Sequence, residues 1–220
     1  KSAHLNTSYT LETYCYWVLK LISHIKSQPV QTKVNIVGHS LGGVITTLLA
    51  ATFPQIFHKI VLIESVGPLV DDVSNTSVRM QNSLTRSIHG NFAKKSYSNL
   101  AACIASRSSN SDLPFEAAEI LSRRGVTELD GRFFWNHDRY LKIPSFSRFT
   151  EEGVRNIISS IPHEVMVILG SASLGQRSPQ MLERLKYFKA LKTKYIEGGH
   201  HLHMHPSARQ TGEAIHQYIL

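Results

Sequence analysis

The stretch Lys33–Thr52, KVNIVGHSLGGVITTLLAAT, decides the fold. Its first five residues, Lys33–Val37, are rich in β-branched side chains, which favours a short strand. Its last twelve, Leu41–Thr52, are apolar nearly all round and stop before Pro54, which indicates a buried helix. The five residues Gly38–Gly42 join the two segments. The stretch therefore predicts a strand, a tight turn and a buried helix.

Further strands and helices alternate on both sides of this unit. Strands are predicted at Lys59–Ile63, Glu164–Leu169 and Thr193–Glu197. Helices are predicted at residues 9–26, 177–192 and 207–220, the first from apolar residues at three-and-four spacing. Strands that alternate with helices form a parallel sheet covered on both faces. The fold class predicted is α/β.

The alternation stops between Val70 and Ile161. Polar stretches there separate predicted helices, and Phe133, Phe134 and Trp135 form an aromatic run. We interpret residues 70–161 as an inserted helical lid, with residues 1–69 and 162–220 forming the two parts of the core. The lid is expected to set specificity, since apolar and aromatic side chains wall most small-molecule clefts.

Composition excludes several classes of protein. The chain has 220 residues, of which 42% are apolar, and this is enough for one globular domain. No apolar run approaches the roughly 18 residues of a membrane-spanning helix, so no integral membrane segment is expected. The formal net charge of +8 comes from dispersed residues without a nucleic-acid motif, so no nucleic acid partner is expected.

Only Cys15 and Cys103 are present, which favours a reduced intracellular compartment. The cytoplasm is the default location, and the C-terminal residues carry no peroxisomal or retention signal. Association with peroxisomes or vesicles stays open. The sequence does not indicate an oligomeric state.

Gly38-His39-Ser40-Leu41-Gly42 matches the G-x-S-x-G pattern of a nucleophile turn. Its position between a strand and a helix is the context that gives this pattern its meaning. The glycines two residues either side of the serine are expected to leave room for the strand and the helix to pass without clashing Cβ atoms. We predict that Ser40 is a nucleophile. The Leu41 backbone N–H, at the positive end of the helix dipole, is predicted to donate to an oxyanion. The alternative is a glycine-rich turn with an incidental serine.

A serine hydroxyl needs a base, and the candidates follow the last strand. His200 comes directly after Gly198 and Gly199, and is predicted to be the general base. His201, His203 and His205 are interpreted as packing or surface residues. Alternating histidines can bind zinc, but no cysteine or carboxylate completes a ligand set, so no metal and no cofactor are expected.

Four segments carry a resemblance to a known family. They are VGHSLGGV at 37–44, IVLIESVGPL at 60–69, SRRGVTELDGRFFWNHDRYLK at 122–142 and EGGHHLHMHPSA at 197–208. Together they resemble the α/β-hydrolase superfamily, and within it the branch of serine hydrolase-like proteins. The resemblance implies an α/β-hydrolase fold and hydrolysis of small ester-like or related acyl substrates by Ser40 and His200.

The acid of the triad departs from the family pattern. Many relatives carry an aspartate just after the strand that is predicted to end at Leu169, where this chain reads GSASLGQ at 170–176. Some hydrolases of this fold place the acid after the preceding strand instead, and Glu64 lies there. Glu64 is therefore predicted to be the acid. The alternative is a glutamate that only caps the next loop.

The beginning of the chain departs as well. Relatives have two more strands, an H-G turn that supplies a second oxyanion donor, and a glycine-rich loop before the helix at 9–26. We expect this chain to be an N-terminally truncated piece with an exposed strand edge, which promotes aggregation. Loss of one oxyanion donor costs about 10²–10³-fold in rate, so weak or absent activity is expected.

Two functions are compatible with these residues. The first is a serine hydrolase that works through an acyl-enzyme with a Ser40-Glu64-His200 triad. A serine at position 40 argues against epoxide hydrolase and dehalogenase chemistry, whereas thioester, lactone and carbon–carbon substrates stay open. The second is a non-catalytic relative that binds a small apolar ligand.

Overall fold

A computed structural model describes residues 9–26, 33–90, 93–111, 113–173, 179–204 and 206–220. They divide into two units. The larger unit comprises Leu11–Val73, Arg148–His203 and Ser207–Leu220, and the smaller one consists mainly of Ser74–Ser147. None of the described helices is long and apolar enough to cross a membrane.

The helices and strands are numbered in chain order. The helices are α1 (Leu11–Lys26), α2 (Leu41–Thr52), α3 (Thr76–His89), α4 (Leu100–Ser109), α5 (Phe115–Gly125), α6 (Glu151–Ser159), α7 (Pro179–Glu183) and α8 (Ala208–Ile219). The strands are β1 (Val34–His39), β2 (Phe57–Ile63), β3 (Ser96–Tyr97), β4 (Val126–Leu129), β5 (Arg132–Trp135), β6 (Glu164–Gly170) and β7 (Ala190–Ile196).

A four-stranded parallel sheet forms the centre of the larger unit. Its strand order is β1-β2-β6-β7, and every neighbouring pair is parallel. The central strands β2 and β6 are buried along nearly their whole length, so their sequences are continuous apolar runs instead of alternating patterns. The predicted α/β architecture, with a parallel sheet flanked by helices, is confirmed.

Helices cover both faces of this sheet. On one face, side chains of α1, α2 and α6 pack in one cluster with Phe57, Leu62 and Val167. On the other face, Ala214 and Tyr218 of α8 pack with the apolar side chains of β2 and β6 that point toward this face. Burial of one such large apolar side chain contributes about 1.5–3 kcal/mol. The two layers hold the carboxyl ends of the strands in fixed positions.

The strand β1 is the edge of the sheet within the described residues. Val34 and Ile36 pack against the core on one face. Asn35 and Val37 lie on the opposite face and are exposed, and 45% of Val37 is accessible to solvent. The structure thus leaves an apolar residue on an edge strand.

The predicted helix over residues 177–192 is present only as the short helix α7, and the prediction is wrong for the residues that follow it. Residues 177 and 178 lie outside the described residues, α7 ends at Glu183, and a 3₁₀ turn at Arg184–Tyr187 leads into β7 at Ala190. Two tertiary interactions override the helical pattern. Pairing with β6 extends β7 back to Ala190, and the nearly fully buried Arg184 is held by bonds outside its own segment.

Arg184 links three segments of the larger unit. Its Nε and one terminal nitrogen donate to the two oxygens of Glu151 over 2.8 Å and 2.7 Å. The other terminal nitrogen donates to the carbonyl oxygens of Val66 and Pro68 over 3.0 Å and 2.8 Å. A buried guanidinium needs such partners, and here the carboxylate and the two carbonyls provide them.

The smaller unit combines helices with a small sheet. Helices α3, α4 and α5 accompany an antiparallel sheet in the order β3-β5-β4. The aromatic run Phe133–Trp135 lies in β5, which is joined to β4 by Asp130 and Gly131, both with positive φ. Two such residues between antiparallel strands are typical of a tight hairpin. The helices predicted for residues 70–161 are thus accompanied by strands.

Candidate active site

Ser40 lies between the end of β1 at His39 and the start of α2 at Leu41. Its backbone has φ 51° and ψ −116°, a conformation that costs a side-chain-bearing residue free energy. Two backbone bonds hold it there. The Ser40 N–H donates to Ile63 O over 3.0 Å, and Val44 N–H donates to Ser40 O over 3.1 Å. The strand-turn-helix predicted around Ser40 is present.

The glycines around Ser40 allow close approach of the strand and the helix, although not in the way expected. A Cβ on Gly38 would lie 2.5 Å from Gly42 O and 2.6 Å from Thr46 Oγ1. A Cβ on Gly43 would meet the Ser65 side chain, whereas one on Gly42 would have nothing within 4 Å. The expectation that both motif glycines make room holds for Gly38 and is wrong for Gly42. Gly43, outside the motif, is the second tightly packed position.

Glu64 follows the last residue of β2 and also has a left-handed backbone, with φ 53°. Its N–H donates to Ile168 O of the neighbouring strand β6 over 2.9 Å. Only 1% of its side chain is accessible to solvent. A carboxylate buried to this degree needs hydrogen-bond donors or a positive partner.

The Glu64 carboxylate finds donors at the end of β6 and in the loop that follows this strand. Gly170 N–H donates to Oε1, and Ser173 Oγ donates to Oε2 over 2.9 Å. The same Oε2 lies 3.4 Å from His200 Nδ1. The structure therefore brings two of the predicted site residues, Glu64 and His200, into contact. Ser173 and Gly170 N–H are further groups that orient the Glu64 carboxylate.

His200 lies on the loop after β7, at the same carboxyl edge of the sheet. This loop packs against the loop after β6, since Ser171 N–H donates to Ile196 O and Ala172 N–H donates to Gly198 O. The His200 side chain is 42% exposed. A proton on Nδ1 would face Glu64, which leaves Nε2 as the basic nitrogen. This tautomer is the one that a general base in a triad requires.

Ser40 and His200 share this edge of the sheet, but no hydrogen bond joins the Ser40 hydroxyl to the His200 ring in the part of the chain that the structure describes. Such bonds are often long in free enzymes and tighten when substrate binds. The two segments are connected through the neighbouring residue. His39 Nε2 lies 2.8 Å from His200 O.

Other histidines surround His39. Its ring centroid is 4.0 Å from that of His203, 4.8 Å from that of His200 and 5.4 Å from that of His201. The described residues contain no group of three or more histidine, cysteine or acidic side chains that could hold a metal ion. His205, interpreted above as a packing or surface residue, lies outside the described residues.

The N-terminal end of α2 presents the predicted oxyanion donor. Leu41 is the first residue of this helix, where backbone N–H groups have no acceptor within the helix. The helix dipole adds positive potential at the same place. A negatively charged oxygen near Ser40 would therefore be stabilised by Leu41 N–H.

Sequence reasoning missed His39, Gly170 and Ser173 as parts of the site. His39 occupies a variable position of the G-x-S-x-G motif, so the motif itself assigns it no role. Ser173 lies in a polar loop without any pattern, and only the fold brings it next to Glu64. The sequence carries one sign only: residues 170–173 contain no aspartate, so this loop does not supply the acid of the triad itself.

Comparison with known proteins shows which fold family the chain belongs to. The family model described as alpha/beta hydrolase fold matches residues 1–205. A "Serine hydrolase-like protein" of Danio rerio is 24% identical over 78% of this chain and 56% of its own length. A "Probable serine hydrolase" of Drosophila melanogaster is 25% identical over 93% of this chain and 65% of its own. The chain thus spans a little over half to about two thirds of these relatives.

Solved structures show the same fold. A hypothetical protein of Pseudomonas aeruginosa superposes with a TM-score of 0.85 at 24% identity, over 98% of this chain and 75% of its own. The thioesterase domain from the curacin biosynthetic pathway superposes with a TM-score of 0.77 at 19% identity, over the same shares. With the family model matching most of its length, this chain belongs to the α/β-hydrolase fold family.

Proposed function

We propose that this protein is a serine hydrolase that cleaves small ester-like substrates through an acyl-enzyme. Ser40 is the nucleophile, His200 the general base, and Glu64 the acid that orients His200. Leu41 N–H donates to the oxyanion. The serine hydrolase-like names of the relatives support hydrolase chemistry in general, and the site geometry supports this assignment of roles.

The contact between Glu64 and His200 carries the proposal. Burying a carboxylate on a strained backbone is costly, and structures keep such arrangements mainly at functional sites. Glu64 combines both features and directs Oε2 toward His200 Nδ1. A glutamate that only capped a loop would need neither the strain nor the imidazole partner.

The reaction has two halves. Ser40 Oγ bonds to the acyl carbon while its proton moves to His200 Nε2, and Leu41 N–H stabilises the oxyanion. The acyl–oxygen bond to the leaving group then breaks, and the leaving oxygen takes the proton from His200. Water, deprotonated by His200, attacks the acyl-enzyme. The acyl–Oγ bond then breaks, His200 returns its proton to Ser40 Oγ, and the carboxylic acid leaves.

The test is release of p-nitrophenol from a short-chain p-nitrophenyl ester, with Ser40→Ala as the matched control. Free p-nitrophenyl acetate hydrolyses slowly without an enzyme, so the difference between the two proteins is the informative quantity. We expect slow release by the wild-type protein that still exceeds the background release by Ser40→Ala. Equal rates in the two folded proteins would contradict the proposal.

A fluorophosphonate probe gives a second, independent readout. It phosphonylates activated serines, and the modified peptide can be located by mass spectrometry. We expect the modification on Ser40 only. A folded protein that stays unlabelled while it binds an apolar fluorescent ligand would instead support the non-catalytic binder.

The bond class needs a separate comparison. One structural neighbour is a thioesterase domain and another is an (acetamidomethylene)succinate hydrolase, so the fold accommodates different substrates. Matched oxygen ester and thioester substrates with the same acyl group would separate the possibilities. We propose the oxygen ester, and a higher kcat/KM for the thioester would contradict that choice.

A further inference from the structure

His39 connects the nucleophile turn with the loop that carries the proposed base. Its side chain is next to Ser40 in the chain, and its Nε2 lies 2.8 Å from the main-chain oxygen of His200. The bond spans 161 residues of sequence. It therefore joins the two segments one residue from the nucleophile and at the base itself.

The chemistry of the contact fixes the proton on His39. A carbonyl oxygen only accepts hydrogen bonds, so Nε2 must carry the hydrogen. Burial lowers the pKa of His39, which favours the neutral ring at neutral pH. The neutral ring then has its single hydrogen on Nε2 and a bare lone pair on Nδ1.

The surroundings of the ring agree with a neutral His39. Burial, His200 and His201 lower the pKa of His39, whereas the bond to His200 O and the charge of Glu64 raise it, and the net shift is downward. The ring of His203 lies 4.0 Å away and is tilted by 42°. Positive charge on His39 would oppose the imidazolium that forms on His200 during catalysis. A neutral donor can hold the loop without this penalty.

We propose that His39 is a positioning residue, which fixes the base-bearing loop against the nucleophile turn through an Nε2–H bond to the His200 carbonyl oxygen. This role rests on the proposed serine hydrolase function. Without the bond, His200 keeps its contact with Glu64 but loses its anchor toward Ser40. A displacement of about 1 Å between reacting groups lowers rates about 10²-fold.

Two substitutions separate the hydrogen bond from the bulk of the ring. His39→Phe keeps a flat ring and removes the donor, whereas His39→Gln supplies an amide N–H in place of Nε2–H. We expect His39→Phe to lower kcat and the rate of fluorophosphonate labelling by about 10–100-fold, with a smaller change in KM. His39→Gln should recover most of that loss. A residue with a purely structural role would not show this rescue.

Nuclear magnetic resonance gives a readout that does not depend on activity. The ring carbon and nitrogen shifts of labelled histidine distinguish the two neutral tautomers. We expect His39, identified by the signal missing from His39→Gln, to show the Nε2–H tautomer and to stay neutral at a pH at which exposed histidines are protonated. An Nδ1–H tautomer would overturn the proposal.

The outcomes distinguish the positioning role from the proposed function. Equal labelling rates in the wild-type protein and His39→Phe would overturn the positioning role and leave the serine hydrolase function intact. A folded wild-type protein that is never labelled would overturn the function, and with it the role of His39 in catalysis, even if the Nε2–H tautomer were observed.

Discussion

Ser40 and Glu64 have a backbone conformation that few residues with side chains adopt. Each such residue costs about 1–3 kcal/mol, so the surrounding structure must compensate for it. Both donate a backbone hydrogen bond to the adjacent strand, Ser40 N–H to Ile63 O and Glu64 N–H to Ile168 O. In this backbone conformation, the Ser40 hydroxyl and the Glu64 carboxylate lie at the ends of β1 and β2.

The charge of Glu64 is the first property to test. Glu64→Gln keeps the shape of the side chain but presents a weaker acceptor to His200 Nδ1–H, so the imidazolium loses its stabilising partner. We expect kcat for ester hydrolysis to fall by up to about 10⁴-fold, as with the corresponding change in the serine protease triad. Near-normal kcat in the folded variant would remove Glu64 from the triad.

Ser173 offers a milder test of how the acid is held. Ser173→Ala removes the hydroxyl that donates to Glu64 Oε2, and a hydrogen bond to a charged group contributes about 1.5–3 kcal/mol. We expect kcat to fall about tenfold, because part of this free energy keeps the carboxylate oriented toward His200. Ser171→Ala, two positions earlier on an exposed side chain, is the matched control and should leave kcat unchanged.

At the level of elements, the start of α2 contains two glycines with opposite surroundings. Gly43→Ala would force a methyl group into the Ser65 side chain, and overpacking of this kind costs about 1–3 kcal/mol. Gly42→Ala has open space and gains helix propensity of up to about 1 kcal/mol. Urea unfolding should show the first variant destabilised and the second equal to or more stable than wild type. The reverse order would contradict the packing described here.

The bond from Arg184 to Glu151 fastens the start of α6 to the 3₁₀ turn before β7. Arg184 donates to the Glu151 carboxyl and holds its pKa below the ordinary value of 4.5. Glu151→Gln leaves the buried guanidinium with weaker partners, and we expect the free energy of unfolding to fall by about 2–3 kcal/mol at neutral pH. The exposed Glu152→Gln on the same turn is the control and should change it little.

The pH dependence of this effect has a definite sign. A carboxyl with a lowered pKa in the folded protein contributes stability above the pKa of the unfolded chain, and this contribution disappears as the pH falls through the folded value. The difference in unfolding free energy between wild type and Glu151→Gln should therefore be full near pH 6–7 and shrink below about pH 4.5. A difference that stayed constant down to pH 3 would argue against the ion pair as its source.

The sequence predicted the elements whose signal is local. Local hydrophobic patterns predicted the strand at Lys33–Val37, the helix at Leu41–Thr52 and the strand at Glu164–Leu169. The segment before Ala190 could not be predicted in this way. Its apolar spacing resembles a helix, but pairing with β6 and the distant partners of Arg184 determine its structure. Such interactions are invisible in a window of ten residues.

The same division applies to the candidate site. Ser40 was marked by its motif, His200 by its position after the last strand, and Glu64 by elimination together with the family resemblance. Ser173 and His39 act through contacts across more than a hundred residues, for which the sequence carries no local sign. The lid role of residues 70–161 stays a prediction.

At the level of the whole molecule, the outer edge of β1 has unpaired backbone groups and an exposed Val37 within the described residues. An exposed apolar edge strand favours pairing with another chain. We expect concentration-dependent association in light scattering, and a reduction of it by Val37→Lys. Asn35→Lys introduces the same charge on the same face without removing an apolar side chain, so it should have a smaller effect. Association that is equally strong in all three proteins would place the contact elsewhere.

The tight packing at Gly170 has a consequence for protein engineering. A Cβ at this position would lie 2.6 Å from Gly199 O in the loop that carries His200. A segment grafted from a relative at the end of β6 will therefore be accepted only if it keeps glycine at position 170. Libraries that vary residues 171 and 172 while they preserve Gly170 and Ser173 should yield many folded members, because the two varied side chains are exposed and the groups that hold Glu64 are kept.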